Sequence, residues 1–187
     1  DVALVVLDAT QGLTQDDRRL ISDAYEAGAG LVVLVNKWDL VKSGAGHEED
    51  VARHVHRQMA LAACAPVITM SAKTGFQVMR GLKTALSVGQ KIRGGVAHPQ
   101  LLEILKTAWT AGPPPRDRGR LVRLKDARWV SSRPAYVQLD VSPRGSRLPP
   151  PFERSILKRL YAHPTLTGIP VKLRLSESSQ KRSRARR

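Results

Sequence analysis

Leu31-Val-Val-Leu-Val-Asn36-Lys37-Trp38-Asp39-Leu40 is the stretch on which the reading of the whole chain turns. Leu31 to Val35 is an apolar run rich in β-branched residues, the pattern of a strand buried on both faces. It ends abruptly in Asn-Lys-x-Asp, at the carboxyl end of a strand, where open α/β sheets place their ligands. A carboxylate such as Asp39 accepts from the N1–H and the exocyclic amine of guanine together. Adenine offers no such pair on that edge. Asn36 either supplies an amide to the O6/N7 side or ties neighbouring loops together, and the stem of Lys37 can lie flat against the ring. Taken alone, four residues also fit a strand that simply ends in a polar turn.

A second match follows on the next strand. Pro66-Val-Ile-Thr-Met70 reads as a short strand, and Ser71-Ala72-Lys73 comes directly after it. Ser-Ala-Lys at that place supplies the other half of a guanine pocket, with the Ala72 backbone N–H offered to O6. Lys73 either covers the base edge or is only a solvated side chain. Paired in this order on consecutive strand ends, the two motifs read as the base-reading half of a GTPase domain that holds GTP or GDP through Asn36, Lys37, Asp39, Ser71, Ala72 and Lys73.

The flanking sequence supports a parallel sheet. Val2 to Leu7 is a second fully apolar strand, ending at Asp8. Thr14 is placed to cap the following helix, with Asp17 at capping-box spacing, and Gly28 stops it. A loop containing Gly44 and Gly46 leads to a helix from Glu48 to about Ala63, and a further helix spans about Gln77 to Lys91. Strand–helix alternation of this kind means parallel pairing with right-handed crossovers. Three strands alone would leave Val2 to Leu7 as a bare apolar edge, so further strands are expected upstream.

Charge divides the chain. Residues 1–92 hold 10 Lys+Arg and 10 Asp+Glu, whereas the remainder holds 21 and 6, which accounts for the whole net charge of +15. A neutral half joined to a strongly basic one implies two domains with different partners, the second facing a polyanion. Nucleic acid fits best; an anionic membrane is the weaker alternative, because no basic amphipathic helix with an aromatic anchor stands out. No run approaches a membrane span. The single cysteine, Cys64, excludes an internal disulfide or a cysteine-cluster zinc site and reads as a buried apolar residue. His54 and His56 have no metal spacing.

After Gly94-Gly95, expected to be a flexible joint, Pro99 opens a helix with Leu101, Leu102, Leu105, Ala108 and Trp109 on its apolar stripe. Leu121 to Val130 and Ala135 to Val141 read as strands, with a bulge near Asp126 where the alternation slips. Pro149 to Pro151 introduce a helix whose Phe152, Ile156 and Leu160 share one face. Val171, Leu173 and Leu175 alternate with Lys172 and Arg174 in a last strand. The result is a helix–strand–strand–helix–strand unit with its helices on one face of a three-stranded sheet. Trp109 belongs to the core by this pattern. Ser178 to Arg187 has no apolar residue larger than alanine and is expected to be disordered alone, as a localisation signal or an RNA-binding tail.

Three segments carry a family resemblance: Leu7-Asp-Ala-Thr-Gln-Gly-Leu-Thr-Gln-Asp-Asp, Ala24-Tyr-Glu-Ala-Gly28, and Val35-Asn-Lys-Trp-Asp-Leu-Val41. They resemble the second GTPase domain of the EngA/Der tandem-GTPase family, whose members carry two GTPase domains and a KH-like domain and act in large-subunit assembly. The resemblance implies an α/β fold with a partial P-loop GTPase domain at 1–93, a small α+β KH-like domain at 94–177 and a basic tail at 178–187. It implies guanine nucleotide and Mg²⁺ as cofactors and large-subunit rRNA with ribosomal proteins as partners, without a membrane. A bacterial cytoplasm or an organelle matrix (mitochondrion or plastid) suits it. Two departures matter. Neither Gly-x-x-x-x-Gly-Lys-Ser/Thr nor Asp-x-x-Gly occurs, so Mg²⁺ ligands and phosphate cradle are expected outside this stretch, which alone should be inactive. The second half also lacks the Gly-x-x-Gly loop with which KH domains clamp a nucleic-acid backbone. The alternative is a catalytically inert GTPase remnant serving as an rRNA-binding scaffold. Expected RNA contacts are Arg123, Lys125, Lys172 and Arg174 on the open face of the sheet, and Lys181, Arg182, Arg184, Arg186 and Arg187 in the tail.

Overall fold

The computed structural model describes residues 1–41 and 48–176. The expected tail contacts from Lys181 to Arg187 and the loop at Gly44 and Gly46 lie outside them. In the first unit, β1 (Val2–Asp8), β2 (Gly30–Asn36) and β3 (Val67–Thr69) form a parallel sheet in the order β1-β2-β3. Helices α1 (Gln15–Glu26), α2 (Glu48–Gln58) and α3 (Val78–Gly94) connect and flank them. β2 is central, and Leu31 to Val35 are buried, as a two-sided apolar run requires. β1 is an edge among the described residues, with Leu4 and Val6 exposed. The expected capping box forms: Thr14 Oγ1 accepts from Asp17 N at 3.2 Å, and Asp17 Oδ2 accepts from Thr14 N at 2.9 Å. Its loss should cost about 1 kcal/mol.

The helix expected to reach Ala63 ends earlier. Met59 is extended (φ −145°), and the chain resumes as a 3-10 turn over Ala60–Cys64 that buries Ala62 and Cys64. Arg18 of α1 explains the stop, since its guanidinium donates to the Gln58 carbonyl at 2.6 Å and satisfies a terminal acceptor of α2. Burial pushes the Cys64 thiol up to about 12, so it packs as a small apolar group.

The second unit comprises α4 (His98–Thr110), the short β4 (Arg116–Asp117) and β5 (Arg120–Leu121), then β6 (Arg123–Ser132), β7 (Ala135–Ser142), α5 (Pro150–Tyr161) and β8 (Val171–Leu175). The sheet order is β6-β7-β8, antiparallel then parallel. Ala135, Val137, Leu139 and Val141 point into one core with Leu101, Leu105 and Trp109 of α4 and Ile156 and Leu160 of α5. Trp109 meets Phe152 edge-on at 5.0 Å between ring centroids. The strand expected over Leu121 to Val130 is divided: Val122 is buried and donates its N–H to Pro115 at 2.9 Å, which separates the β4–β5 hairpin from β6. The expected bulge lies between Leu124 and Asp126, and a second falls between Trp129 and Ser131.

The expected joint at Gly94-Gly95 coincides with a helix end. α3 runs through Gly94, Gly95 caps it at φ +63°, and Trp129 packs against that glycine. Around it the two units are docked by further contacts. Leu31 N donates to Gly168 O at 2.8 Å, Gly168 N to Cys64 O at 2.6 Å, and Lys91 Nζ to Pro164 O at 2.6 Å. The Tyr25 and Tyr161 hydroxyls meet at 3.4 Å, and Arg133 pairs with Asp1. Glycine is required on both sides of the seam: a Cβ on Gly28 would stand 2.4 Å from Pro134 Cα, and one on Gly168 would stand 2.3 Å from Val88 Cγ2.

Candidate functional site

The carboxyl ends of the three parallel strands bring the two sequence motifs together. Register places Asp8 of β1 beside Asn36 of β2. Met70 N donates to Val35 O at 2.8 Å and Trp38 N to Met70 O at 3.1 Å, so main chain joins the two motif loops before any side chain acts. Lys37 takes a left-handed conformation (φ +63°), which turns the chain sharply into a 3-10 turn at Trp38–Leu40 and carries Asp39 toward β3. There Ser71 Oγ donates to Asp39 Oδ1 at 2.5 Å. Ser71 is buried, and its Oγ also accepts from Thr74 N at 3.2 Å. Ser71 therefore fixes the orientation of an exposed carboxylate and leaves Asp39 Oδ2 as a further acceptor.

Asn36 adopts one of the two roles open to it in the sequence. Its Oδ1 accepts from Ala72 N at 2.9 Å, so it ties the two loops together. The Ala72 N–H expected for guanine O6 is engaged in this tie, which leaves the Asn36 Nδ2 amide as the donor on that side. Lys73 is exposed. Lys37 Nζ pairs with Asp8 Oδ2 at 2.7 Å. Asp8 was not singled out by sequence reasoning; its signal was an apolar strand ending in an aspartate, parallel to the one ending in Asn36. The Lys37 and Thr10 hydrogen bonds lower its pKa to about 2, so it stays ionised and holds the lysine beside Asn36.

The basic residues of the second unit are not gathered in one place. β7 separates Arg123 and Lys125 on β6 from Lys172 and Arg174 on β8. Lys172 pairs with Glu26 of α1 at 2.7 Å and lies 5.9 Å from the Tyr25 ring centroid, so it belongs to the seam between units. The Arg174 guanidinium lies over the Tyr136 ring at 3.5 Å. Asp126 draws in His98 at 2.6 Å and Arg128 at 3.1 Å. The open face is thus mixed in sign rather than uniformly basic. Arginines that sequence reasoning did not name, Arg118, Arg120, Arg144 and Arg147, converge elsewhere, around the β4–β5 turn and the loop after β7.

Among the described residues, no group of three or more His, Cys, Asp and Glu side chains is arranged to hold a metal ion, and no helix is long and apolar enough to cross a membrane. Residues 1–111 match the family model for the Elongation factor Tu GTP binding domain. GTPase Der of Caldicellulosiruptor saccharolyticus is 28% identical over 181 residues, covering 97% of this chain and 41% of the relative. GTPase Der of Desulforudis audaxviator is 32% identical over 173 residues, covering 92% and 39%. The chain thus spans about two fifths of the length of these curated relatives. A solved structure of Era in complex with MgGDPNP and nucleotides of 16S ribosomal RNA aligns over 94% of this chain and 64% of that one, at 17% identity and a TM-score of 0.41. With its paired guanine-type loops on a parallel sheet, the chain belongs to the Elongation factor Tu GTP binding domain family and is of the EngA/Der GTPase type.

Proposed function

We propose that this chain supplies the guanine-reading and RNA-docking parts of a GTP-binding factor that assembles the large ribosomal subunit. The observation that carries the reading is the bond from Ser71 Oγ to Asp39 Oδ1, which joins the two motifs and orients one carboxylate for a purine edge. Residues 1–93 then form the carboxy-terminal part of a GTPase domain, 94–177 a KH-like α+β domain, and 178–187 a basic tail. In the pocket, Asp39 selects guanine, Asn36 ties the loops and presents its amide, Lys37 flanks the ring, and Ser71, Ala72 and Lys73 complete the second loop. Bound Mg²⁺ would neutralise phosphate charge, held by groups beyond this stretch.

Partners in this reading are guanine nucleotide, large-subunit rRNA and the ribosomal proteins of an assembling particle, in a bacterial cytoplasm or an organelle matrix. Hydrolysis in the full-length protein controls the docking of the basic unit. The similarity to GTPase Der and the charge of residues 93–187 support this. Phosphoryl transfer depends on phosphate and metal positioning. The full-length protein should therefore turn over GTP, whereas residues 1–187 alone should not. A GTP turnover assay on both decides it. Steady turnover by the shorter chain that survives Asp39→Ala would refute the assignment, and absence of turnover by the full-length protein would favour an inert scaffold.

A further inference from the structure

Most cations of the second unit that face its sheet are already engaged, by Glu26, Asp126 or the Tyr136 ring. One group differs. Arg118, Arg120, Arg144 and Arg147 are all exposed and line a single concavity of about 380 Å³ with Asp117 and Gly145. Among the described residues, none of these four guanidinium groups forms an ion pair. The one carboxylate in the lining, Asp117, accepts from the Arg147 backbone N–H at 3.1 Å and so joins the hairpin to the facing loop. Arg116 holds the hairpin turn by donating to Gly119 O at 3.0 Å. Ser146, buried, holds the loop by donating to Pro143 O at 2.7 Å.

The hairpin turn is itself unusual. Arg118 sits at φ +48°, a left-handed position that asparagine, aspartate or glycine fills more readily than a long side chain. Unpaired like charges held in one concavity repel one another until an anion enters. Guanidinium forks match phosphate oxygens in pairs, which suits a site built from arginine rather than lysine.

We propose that the Arg118–Arg120–Arg144–Arg147 concavity is the site at which this protein grips the phosphate backbone of double-helical RNA. The inference rests on the RNA-docking reading above and names the surface that performs it. No lining residue is aromatic, so bases have no stacking platform there, and the site reads backbone shape rather than single-stranded sequence. The lining also has no large apolar side chain to insert into a bilayer, which sets the site apart from a peripheral membrane anchor.

The test uses the full-length protein with a fluorescent RNA stem-loop, a single strand of equal length, and phosphatidylcholine–phosphatidylserine vesicles, each across a salt series. The variant is Arg118→Ser, Arg120→Ser, Arg144→Ser and Arg147→Ser together. A control with equal charge loss combines Arg19→Ser, Arg57→Ser, Lys83→Ser and Lys106→Ser. Each lost phosphate contact removes about 0.7–0.9 from the slope of log K against log salt. The cluster variant should therefore lose roughly 3 from that slope and at least about tenfold in stem-loop affinity, against less than about 1 for the control. The four Arg→Lys replacements should keep most of the slope, which separates lost charge from lost fold. Equal behaviour of cluster variant and control would overturn this inference alone. Preference for the single strand, or binding of vesicles in place of the stem-loop, would overturn it too. Failure of the unsubstituted protein to bind RNA even at low salt would remove the RNA-docking reading beneath it.

Discussion

Leu31 donates its backbone N–H to the Gly168 carbonyl at 2.8 Å, so the strand that ends in the guanine-type motif begins on a loop of the basic unit. β2 is five buried residues long between that bond and Asn36, covered on both of its faces. Close-packed elements of this kind move as bodies rather than bend. A contact at the amino end of β2 therefore joins the basic unit to the strand whose carboxyl end carries Asn36.

Gly168→Ala tests that connection. Gly168 has φ +85°, where alanine is disfavoured by about 1–2 kcal/mol, and its new methyl would drive into Val88, for a further ~1–3 kcal/mol. Gly12 has φ +71° with nothing nearby, so Gly12→Ala carries the first cost only. Thermal unfolding should place Gly168→Ala well below Gly12→Ala, by about 2–4 °C for each kcal/mol of difference. Equal melting temperatures would mean that the seam is loose.

Asp8 gives a pH signature. Its folded pKa is depressed to about 2 by Lys37 and Thr10, below the unfolded carboxylate value near 3.8. The sign follows from linkage: the stability it contributes is fully present above about pH 4 and is lost as pH falls through about 2. Carboxyl titration by NMR should show no Asp8 inflection near pH 4 in the protein, and in Lys37→Ala the inflection should move upward, held back only by Thr10. An ordinary inflection in the unsubstituted protein would contradict the Lys37–Asp8 pairing.

Elements with long, regular patterns were legible in the sequence, and those set by tertiary contacts were not. Leu31 to Val35, the Thr14–Asp17 box, the Ala135 to Val141 alternation and the bulge near Asp126 all emerge as the residues predict. The end of α2 was not readable, because Arg18, forty residues away, caps Gln58. The packing at Gly95 depends on Trp129, also distant in sequence. At the two motif loops, Asp39 and Ser71 were readable as motif members, but their mutual hydrogen bond and the Asn36–Ala72 tie depend on the β2–β3 register. The partners of the expected basic face were not legible for a simple reason. Alternation tells which way Lys172 and Arg174 point, but not that Glu26 and Tyr136 wait for them.

Base choice by Asp39 is the claim on which the functional reading stands, and nucleotide titration of the full-length protein tests it most directly. Asp39→Asn exchanges an acceptor for a donor opposite the guanine N1–H and amine, while leaving an amide oxygen for Ser71 Oγ. Guanine affinity should fall by about 1.5–3 kcal/mol, the worth of a charge-assisted hydrogen bond, or roughly 10- to 150-fold in Kd. Affinity for xanthosine diphosphate, which carries an acceptor where guanine has its amine, should rise. The account predicts that reversal of preference between GDP and xanthosine diphosphate; unchanged GDP affinity in Asp39→Asn would contradict it.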